Sequence, residues 1–198
     1  MEKIIVKKIE VEKNDIRIDY KVTEGLKKYF NLENKFHVHY YEDISTVPEE
    51  VAVIPFVSNV LPIIWLTNSE LVIDSLEEKY ANSLDKTRMA FNKMYKTDIF
   101  KGKVTVKKKK RIKPLDTEEN ISVFYSGGVD STSSLVSCLE NNKRPLLITI
   151  WGTDVWDNNI EGFESLKKNA EDCGKKYNLK NMFIKTNFRK FIYEHELT

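Results

Sequence analysis

The sequence predicts an α/β protein in which an α+β N-terminal domain precedes a partial, parallel sheet in the C-terminal half. In that half, three apolar runs at 121–125, 146–151 and 182–186 have the length and composition of buried strands. Two segments with apolar residues at helical spacing, 129–141 and 163–177, lie between them. Because strands that alternate with helices form right-handed βαβ units, this order predicts parallel strands that bind ligands at their carboxyl ends.

The N-terminal half predicts short strands around one long helix. Residues 3–12 and 16–22 are rich in β-branched side chains and flank a short polar turn, which indicates an antiparallel hairpin. The long helix is expected at about 75–95, where Ser75 and Glu78 have the spacing of a capping box. Further strands are expected at 35–41, 51–55, 71–73 and 100–107, with another helix beginning near Phe56.

The composition is that of an ordinary soluble globular protein, since 41% of the 198 residues are hydrophobic and 31% are charged. A net charge of +2 gives no general reason to expect nucleic acid or an anionic membrane as a partner. The most apolar stretch, 51–66, is interrupted by Pro55 and Pro62 and is shorter than the about 20 residues of a membrane span. Cys138 and Cys173 are too far apart for a CxxC motif, which favours a reducing compartment. We therefore expect a cytoplasmic protein with no membrane partner.

A basic run from Lys107 to Arg111, followed by Pro114 and several acidic residues, indicates a domain boundary. We place an α+β domain of unassigned function at 1–115 and a second domain at 119–198. Clustered lysines can bind RNA, but a solvated strand edge or linker has the same composition, and no aromatic-rich nucleic-acid module accompanies them. RNA therefore stays a weak alternative partner.

The segment Ser126-Gly127-Gly128-Val129-Asp130-Ser131-Thr132 follows an apolar run and precedes a helix. Two adjacent glycines let the backbone turn sharply, and successive N–H groups at a helix start can bind phosphate. The hydroxyls of Ser126, Ser131 and Thr132 can donate to phosphate oxygens. The carboxylate of Asp130 would suit Mg²⁺ or could cap the helix. A tight turn capped by serines is the alternative that needs no ligand.

This Ser-Gly-Gly-Val-Asp-Ser segment resembles the SGGxDS signature of the PP-loop, or N-type ATP pyrophosphatase, superfamily of adenine nucleotide α-hydrolase-like proteins. Members cleave ATP between the α- and β-phosphates and adenylate a substrate carbonyl oxygen. Ammonia, an amine or sulfide then displaces AMP. The resemblance implies an ATP-dependent, Mg²⁺-using ligase or synthetase on a Rossmann-like (HUP-type) sheet, and the matching topology covers about 119–187. It leaves open the acceptor, which could be a small molecule or a macromolecule, and the nitrogen or sulfur donor.

The resemblance also implies a role for individual residues of the segment. Asp130 would bind Mg²⁺, and the main chain around Ile150 and Trp151, at the end of the second strand, would lie beside adenine. The candidate catalytic residues are Ser126, Asp130 and Ser131. The residues that would hold the pyrophosphate part of ATP are Ser126, Gly127, Gly128, Val129 and Ser131.

Two features leave the substrate chemistry undecided. Asp154 follows the second strand on the expected ligand edge, where it could contact substrate, ribose or metal, or could simply cap a turn. Cys138 and Cys173 lie on apolar helix faces and are expected to pack in the core. The sequence therefore predicts activation by ATP without naming the acceptor.

The family sheet has five parallel strands, whereas three are visible in this sequence before Thr198. In the family order the first strand is central, so that its apolar edge would be open, which is an aggregation hazard. We expect a fragment of a longer protein; alternatively, a second polypeptide, a second copy, or N-terminal strands complete the sheet. A second function therefore stays open: a truncated or non-catalytic adenine-nucleotide-binding module that acts with a partner chain.

Overall fold

A computed structural model describes residues 1–33, 35–113 and 121–197. Within these ranges the protein is α/β, with eight strands in mixed, partly parallel β-structure and helices packed against them. The domain boundary predicted at 115–119 lies outside the described residues. The chain divides into two compact units, the first made of residues 1–37, 44–113 and 188–198, and the second of residues 38–43 and 114–187.

Eight strands and six α-helices make up most of the regular structure of the described residues. The strands are β1 (Lys3–Val11), β2 (Asp15–Val22), β3 (Phe36–Tyr40), β4 (Glu70–Glu77), β5 (Lys103–Lys110), β6 (Ser122–Phe124), β7 (Leu146–Trp151) and β8 (Asn181–Thr186). The helices are α1 (Glu49–Ala52), α2 (Ile54–Leu66), α3 (Glu78–Met94), α4 (Val129–Glu140), α5 (Ile160–Tyr177) and α6 (Phe188–Phe191). Short 3₁₀ segments are Glu24–Tyr29 and Glu194–Leu197.

In the first unit the strands lie in the order β5-β4-β1-β2. The predicted hairpin is confirmed, because β1 and β2 are antiparallel, whereas β1 pairs in parallel with β4 and β4 pairs in parallel with β5. Aromatic rings fill the core, with centroids 5.2–5.8 Å apart. The rings belong to Tyr20, Phe30, Phe36, Phe56 and Phe191.

The strand expected at 51–55 is wrong, since these residues are mostly helical in α1 and the first turn of α2. Pro48 caps α1, and Pro55 stands in the first turn of α2, where its missing N–H is not needed. A short apolar run does not distinguish a buried strand from a buried helix by its pattern alone.

Residues 49–66 are long and apolar enough to cross a membrane by length and composition, and 56% of them are buried in the structure.

The capping box expected at Ser75 and Glu78 is also wrong. Ser75 lies inside β4, where its hydroxyl donates to a carboxylate oxygen of Glu50 at 3.0 Å. The long helix begins at Glu78, and the carboxylate of Glu77 caps it by accepting from the N–H of Tyr80 at 2.7 Å. Through its pairing with β5, β4 therefore continues to Glu77, four residues beyond the strand expected at 71–73.

In the second unit the strands lie in the order β3-β8-β7-β6. The predicted parallel arrangement is confirmed for β6, β7 and β8, while residues 38–40 of β3 run antiparallel to β8. Within the described part of the chain, β6 ends this order and no strand pairs with its outer edge. The N-terminal strand β3 pairs with the edge of β8 and not with that of β6.

Both long helices of the second unit pack on one face of its strands. Leu135 of α4 contacts Val123 and Leu147, and Phe163 of α5 packs against Trp151. The next residue of β6, Phe124, points to the other face and is 68% exposed. The helices therefore cover one side of these strands and begin at their carboxyl ends.

Candidate functional site

The loop between β6 and α4 carries the glycine pair at which the sequence predicts a phosphate site. The last ladder bond of β6 runs from the N–H of Tyr125 to the carbonyl of Ile148 at 2.8 Å, and the chain then leaves the sheet. Gly127 has a φ of +75°, a conformation that glycine adopts without steric cost, and Gly128 is the N-cap of α4. The predicted strand, turn and helix start are therefore present.

The main-chain amides of this loop have no acceptor in the described residues. No carbonyl or side chain there accepts from the four consecutive N–H groups from Gly127 to Asp130. The first N–H to bond in the usual helical way is that of Thr132, which donates to the carbonyl of Gly128 at 3.0 Å. Because the free groups stand at the positive end of α4, they can bind an anion.

Neither glycine of the loop packs against the rest of the protein. A Cβ on Gly127 would meet nothing within 4 Å, and one on Gly128 would meet only the Ser126 hydroxyl oxygen, at 3.6 Å. Gly128 has an ordinary φ of −77°. The fold therefore favours glycine at position 127 for its φ, but does not require glycine at position 128.

A cleft of about 420 Å³ opens beside the loop. Its lining includes Ser126 and Gly128 from the loop, and Ile150 and Asp154 from the end of β7 and the segment after it. This volume is within the range of about 300–1,000 Å³ that is usual for small-molecule sites. The structure thus brings four of the predicted site residues to one cleft at the carboxyl ends of two parallel strands.

Trp151, by contrast, is a core residue through its side chain. The residue is 8% exposed, and its ring stacks on Phe163 with centroids 4.4 Å apart. Its Nε1–H donates to the carbonyl of Trp156 at 2.7 Å, and the ammonium of Lys185 lies 4.0 Å from the ring centroid. The indole therefore holds the loop after β7 against α5 and does not line the cleft.

The main chain of Ile150 presents a free donor beside the cleft. Ile148 and Ile150 turn their polar groups toward β6, because alternate residues of a strand face the same neighbour. β6 ends before it reaches Ile150, and no described residue accepts from the Ile150 N–H. Its carbonyl receives one long hydrogen bond, 3.4 Å, from the hydroxyl of Thr153. An adjacent donor and acceptor of this kind can recognise the edge of a heterocycle.

The predicted hydroxyl residues have different surroundings. Ser131 braces the loop from inside, since its hydroxyl donates to the carbonyl of Gly128 at 3.1 Å and accepts from the Ser126 N–H at 3.4 Å. The side chains of Ser126 and Thr132 are exposed. The Thr132 hydroxyl already bonds the hydroxyl of Tyr125, so that Ser126 is the best placed of the three to donate to a ligand.

Val129 and Asp130 form the exposed first turn of α4. The described residues contain no group of three or more His, Cys, Asp or Glu that could hold a metal by itself. Mg²⁺ at nucleotide sites is usually held by one or two carboxylates together with the phosphates. The exposed carboxylate of Asp130 beside the free amides fits a site in which bound phosphates supply the other ligands of the ion.

Sequence reasoning missed three residues that shape the site. Thr149 is a buried hydroxyl in an otherwise apolar strand, and Gly152 has a φ of +101° directly after it. Tyr125 lines the cleft, and a hydrogen bond with the Cys173 thiol, followed by burial, raises the pKa of its hydroxyl. The lone threonine and the glycine were visible signals, but their partners lie far away in sequence.

No family model, curated protein or solved structure matches this chain.

Proposed function

We propose that this protein binds Mg-ATP at residues 126–132 and in the adjoining cleft, and that it adenylates a substrate carbonyl oxygen. The observation that carries the proposal is the row of free amides from Gly127 to Asp130, which opens at the start of α4 beside the cleft. In the proposed step the substrate oxygen attacks the α-phosphorus. The bond from that phosphorus to the bridging oxygen breaks, and pyrophosphate leaves.

The loop amides and the exposed hydroxyl of Ser126 would hold the phosphates, and Thr132 would join them by exchanging its hydrogen bond with Tyr125 for one to the nucleotide. Hydrogen bonds to charged groups contribute about 1.5–3 kcal/mol each. Since micromolar binding corresponds to about 8 kcal/mol, three or four such bonds would supply much of the affinity. Catalysis would then consist mainly of positioning and of stabilising the charge that develops on the phosphates.

The free main chain of Ile150 supports adenine as the base. Adenine presents a ring nitrogen acceptor next to an amino donor, which matches the Ile150 N–H and carbonyl. Guanine presents a donor and an acceptor in the reverse order, so that the same strand end would repel it. We therefore propose preference for ATP over GTP.

Asp130 is the residue that would hold Mg²⁺. The ion would neutralise charge on the phosphates when bound. Without it, a carboxylate next to a triphosphate would oppose binding, so that nucleotide binding at this loop calls for a metal at Asp130. Asp154 lines the same cleft and is proposed to contact substrate or ribose.

The test uses the full chain with Mg-ATP and candidate acceptors that carry a carboxylate or amide carbonyl. AMP and pyrophosphate should form, and Ser126→Ala or Asp130→Ala should abolish them. Asp172→Ala, an exposed carboxylate on α5, is the matched control and should leave turnover unchanged. Formation of ADP and phosphate would disprove the adenylation proposal, and failure to bind any adenine nucleotide would remove the site altogether.

A second candidate is a non-catalytic adenine-nucleotide module that acts with a partner chain. It is favoured by the unpaired outer edge of β6 in the described residues and by the exposed ring of Phe124. A homo-oligomer or a second polypeptide could cover this edge. Tight ATP binding with no turnover, even after a partner is supplied, would select this function over the enzyme.

The basic run gives RNA little support. Lys107 pairs with Asp74 at 2.7 Å, Lys109 donates to the side chain of Asn82 at 2.7 Å, and Lys110 pairs with the buried Glu50. These three lysines therefore already have partners within the first unit. RNA binding that responds neither to salt nor to the removal of their charge would exclude the run as a phosphate surface.

A further inference from the structure

Thr149 is a buried hydroxyl residue in the middle of β7. Its neighbours in the strand, Leu147, Ile148 and Ile150, are all apolar, and Thr149 itself is 1% exposed. Its hydroxyl donates to the carbonyl of Tyr125 at 2.9 Å, across 24 residues of sequence. A buried hydroxyl is costly unless it is hydrogen-bonded, so this contact is the one that lets threonine occupy the position.

The acceptor of this bond lies where the ladder between β6 and β7 stops. The N–H of Tyr125 still donates to the carbonyl of Ile148. In a parallel ladder that continued for one more residue, the carbonyl of Tyr125 would accept from the N–H of Ile150. The hydroxyl of Thr149 takes that place, and the Ile150 N–H has no acceptor among the described residues.

We propose that Thr149 is a positioning residue that prepares both halves of the nucleotide site. It anchors the carbonyl of Tyr125, from which the phosphate loop departs at Ser126. It also keeps the N–H of Ile150 available to the base. This inference rests on the proposed function, because it assigns the two free groups to one adenine nucleotide.

The consequence of losing the hydroxyl follows from the same geometry. Valine has the shape of threonine but no donor, so that the nearest remaining donor to the Tyr125 carbonyl is the N–H of Ile150. The ladder then extends by one bond and takes up the group that would bind the base. Serine restores a hydroxyl and should restore the wild-type arrangement.

The experiment compares wild type, Thr149→Val and Thr149→Ser by calorimetry with ATP and by amide hydrogen exchange without nucleotide. We expect Thr149→Val to raise the Kd for ATP by about tenfold or more, and Thr149→Ser to stay within about threefold of wild type. The Ile150 amide should exchange more slowly in Thr149→Val than in wild type. A merely structural defect would speed exchange throughout the second unit.

Thr105→Val is the matched control, because it removes a threonine hydroxyl that donates to Glu70 in the first unit. It should leave the Kd for ATP unchanged. Equal ATP affinity of wild type and Thr149→Val, or unchanged exchange of the Ile150 amide, would overturn the inference while the proposed function stands. If wild type itself binds no ATP, the proposed function fails and the inference falls with it.

Discussion

The carbonyl oxygen of Thr186 closes off the space where a side chain on Gly152 would stand. A Cβ built on Gly152 would lie 1.8 Å from this oxygen, far inside any allowed contact. Gly152 also has a φ of +101°. Glycine is therefore required here twice, by conformation and by space, at the turn that leads from β7 into the segment lining the cleft.

We expect Gly152→Ala to destabilise the second unit by about 3 kcal/mol or more, because strain and overlap add. Gly127→Ala is the matched control, since its φ is also positive but its Cβ would meet nothing within 4 Å. It should cost only about 1–2 kcal/mol. Urea denaturation of the two variants measures both values, and equal costs would show that the contact with Thr186 relaxes easily.

The local order around the loop at 126–128 was predictable because it depends on neighbours in sequence. Two adjacent glycines after an apolar strand and before an amphipathic helix give the turn, and β7 spans the predicted residues 146–151. Alternation of strands with helices gave the parallel pairing of β6, β7 and β8. These features need no knowledge of what lies elsewhere in the chain.

The features that sequence reasoning missed depend on distant partners. Ser75 is a residue type that often caps helices, but pairing with β5 holds it in a strand, where its hydroxyl donates to Glu50. Thr149 looks like a neutral strand residue until the carbonyl of Tyr125 is placed beside it. A pattern of side chains records local preference, whereas these contacts arise only when the sheet assembles.

A substitution at Gly128 distinguishes an effect on stability from an effect on ligand binding. Its φ is ordinary and a Cβ would meet only the Ser126 hydroxyl oxygen, so Gly128→Ala should change the free energy of unfolding by less than about 1 kcal/mol. Gly128 nevertheless lines the cleft, where an added methyl would take up ligand space, and we expect ATP affinity to fall by about tenfold or more. Thermal denaturation and calorimetry check the two parts, and unchanged affinity would mean that the phosphates do not approach this residue.

Glu70 joins three strands of the first unit and is 6% exposed. Hydrogen bonds from Thr105 at 2.6 Å, then from Lys3 at 2.9 Å and Lys103 at 3.3 Å, lower the pKa of its carboxyl to about 2. Since the pKa is lower in the folded than in the unfolded state, the stabilisation is complete above about pH 4.5 and is lost as the pH falls toward 2.

We therefore expect Glu70→Gln to reduce the free energy of unfolding near neutral pH by on the order of 1 kcal/mol, because its lysine partners are about half exposed. The difference from wild type should shrink as the pH approaches the folded pKa of Glu70. Asp74→Asn is the control, since the pair of Asp74 with Lys107 also joins β4 to β5 but is exposed. Urea titrations at several pH values measure the effect, and a constant difference would contradict a role for the charge.

Asp130 gives the sharpest test of the metal. If its carboxylate holds Mg²⁺ against the phosphates, Asp130→Asn should weaken ATP binding in Mg²⁺ by about tenfold, or about 1.4 kcal/mol. In EDTA the same variant should bind ATP at least as well as wild type, because a negative charge next to the phosphates has been removed. Asp172→Asn on α5 controls for the general loss of one exposed carboxylate from the second unit. Equal weakening with and without Mg²⁺ would mean that Asp130 supports the helix start and does not bind the ion.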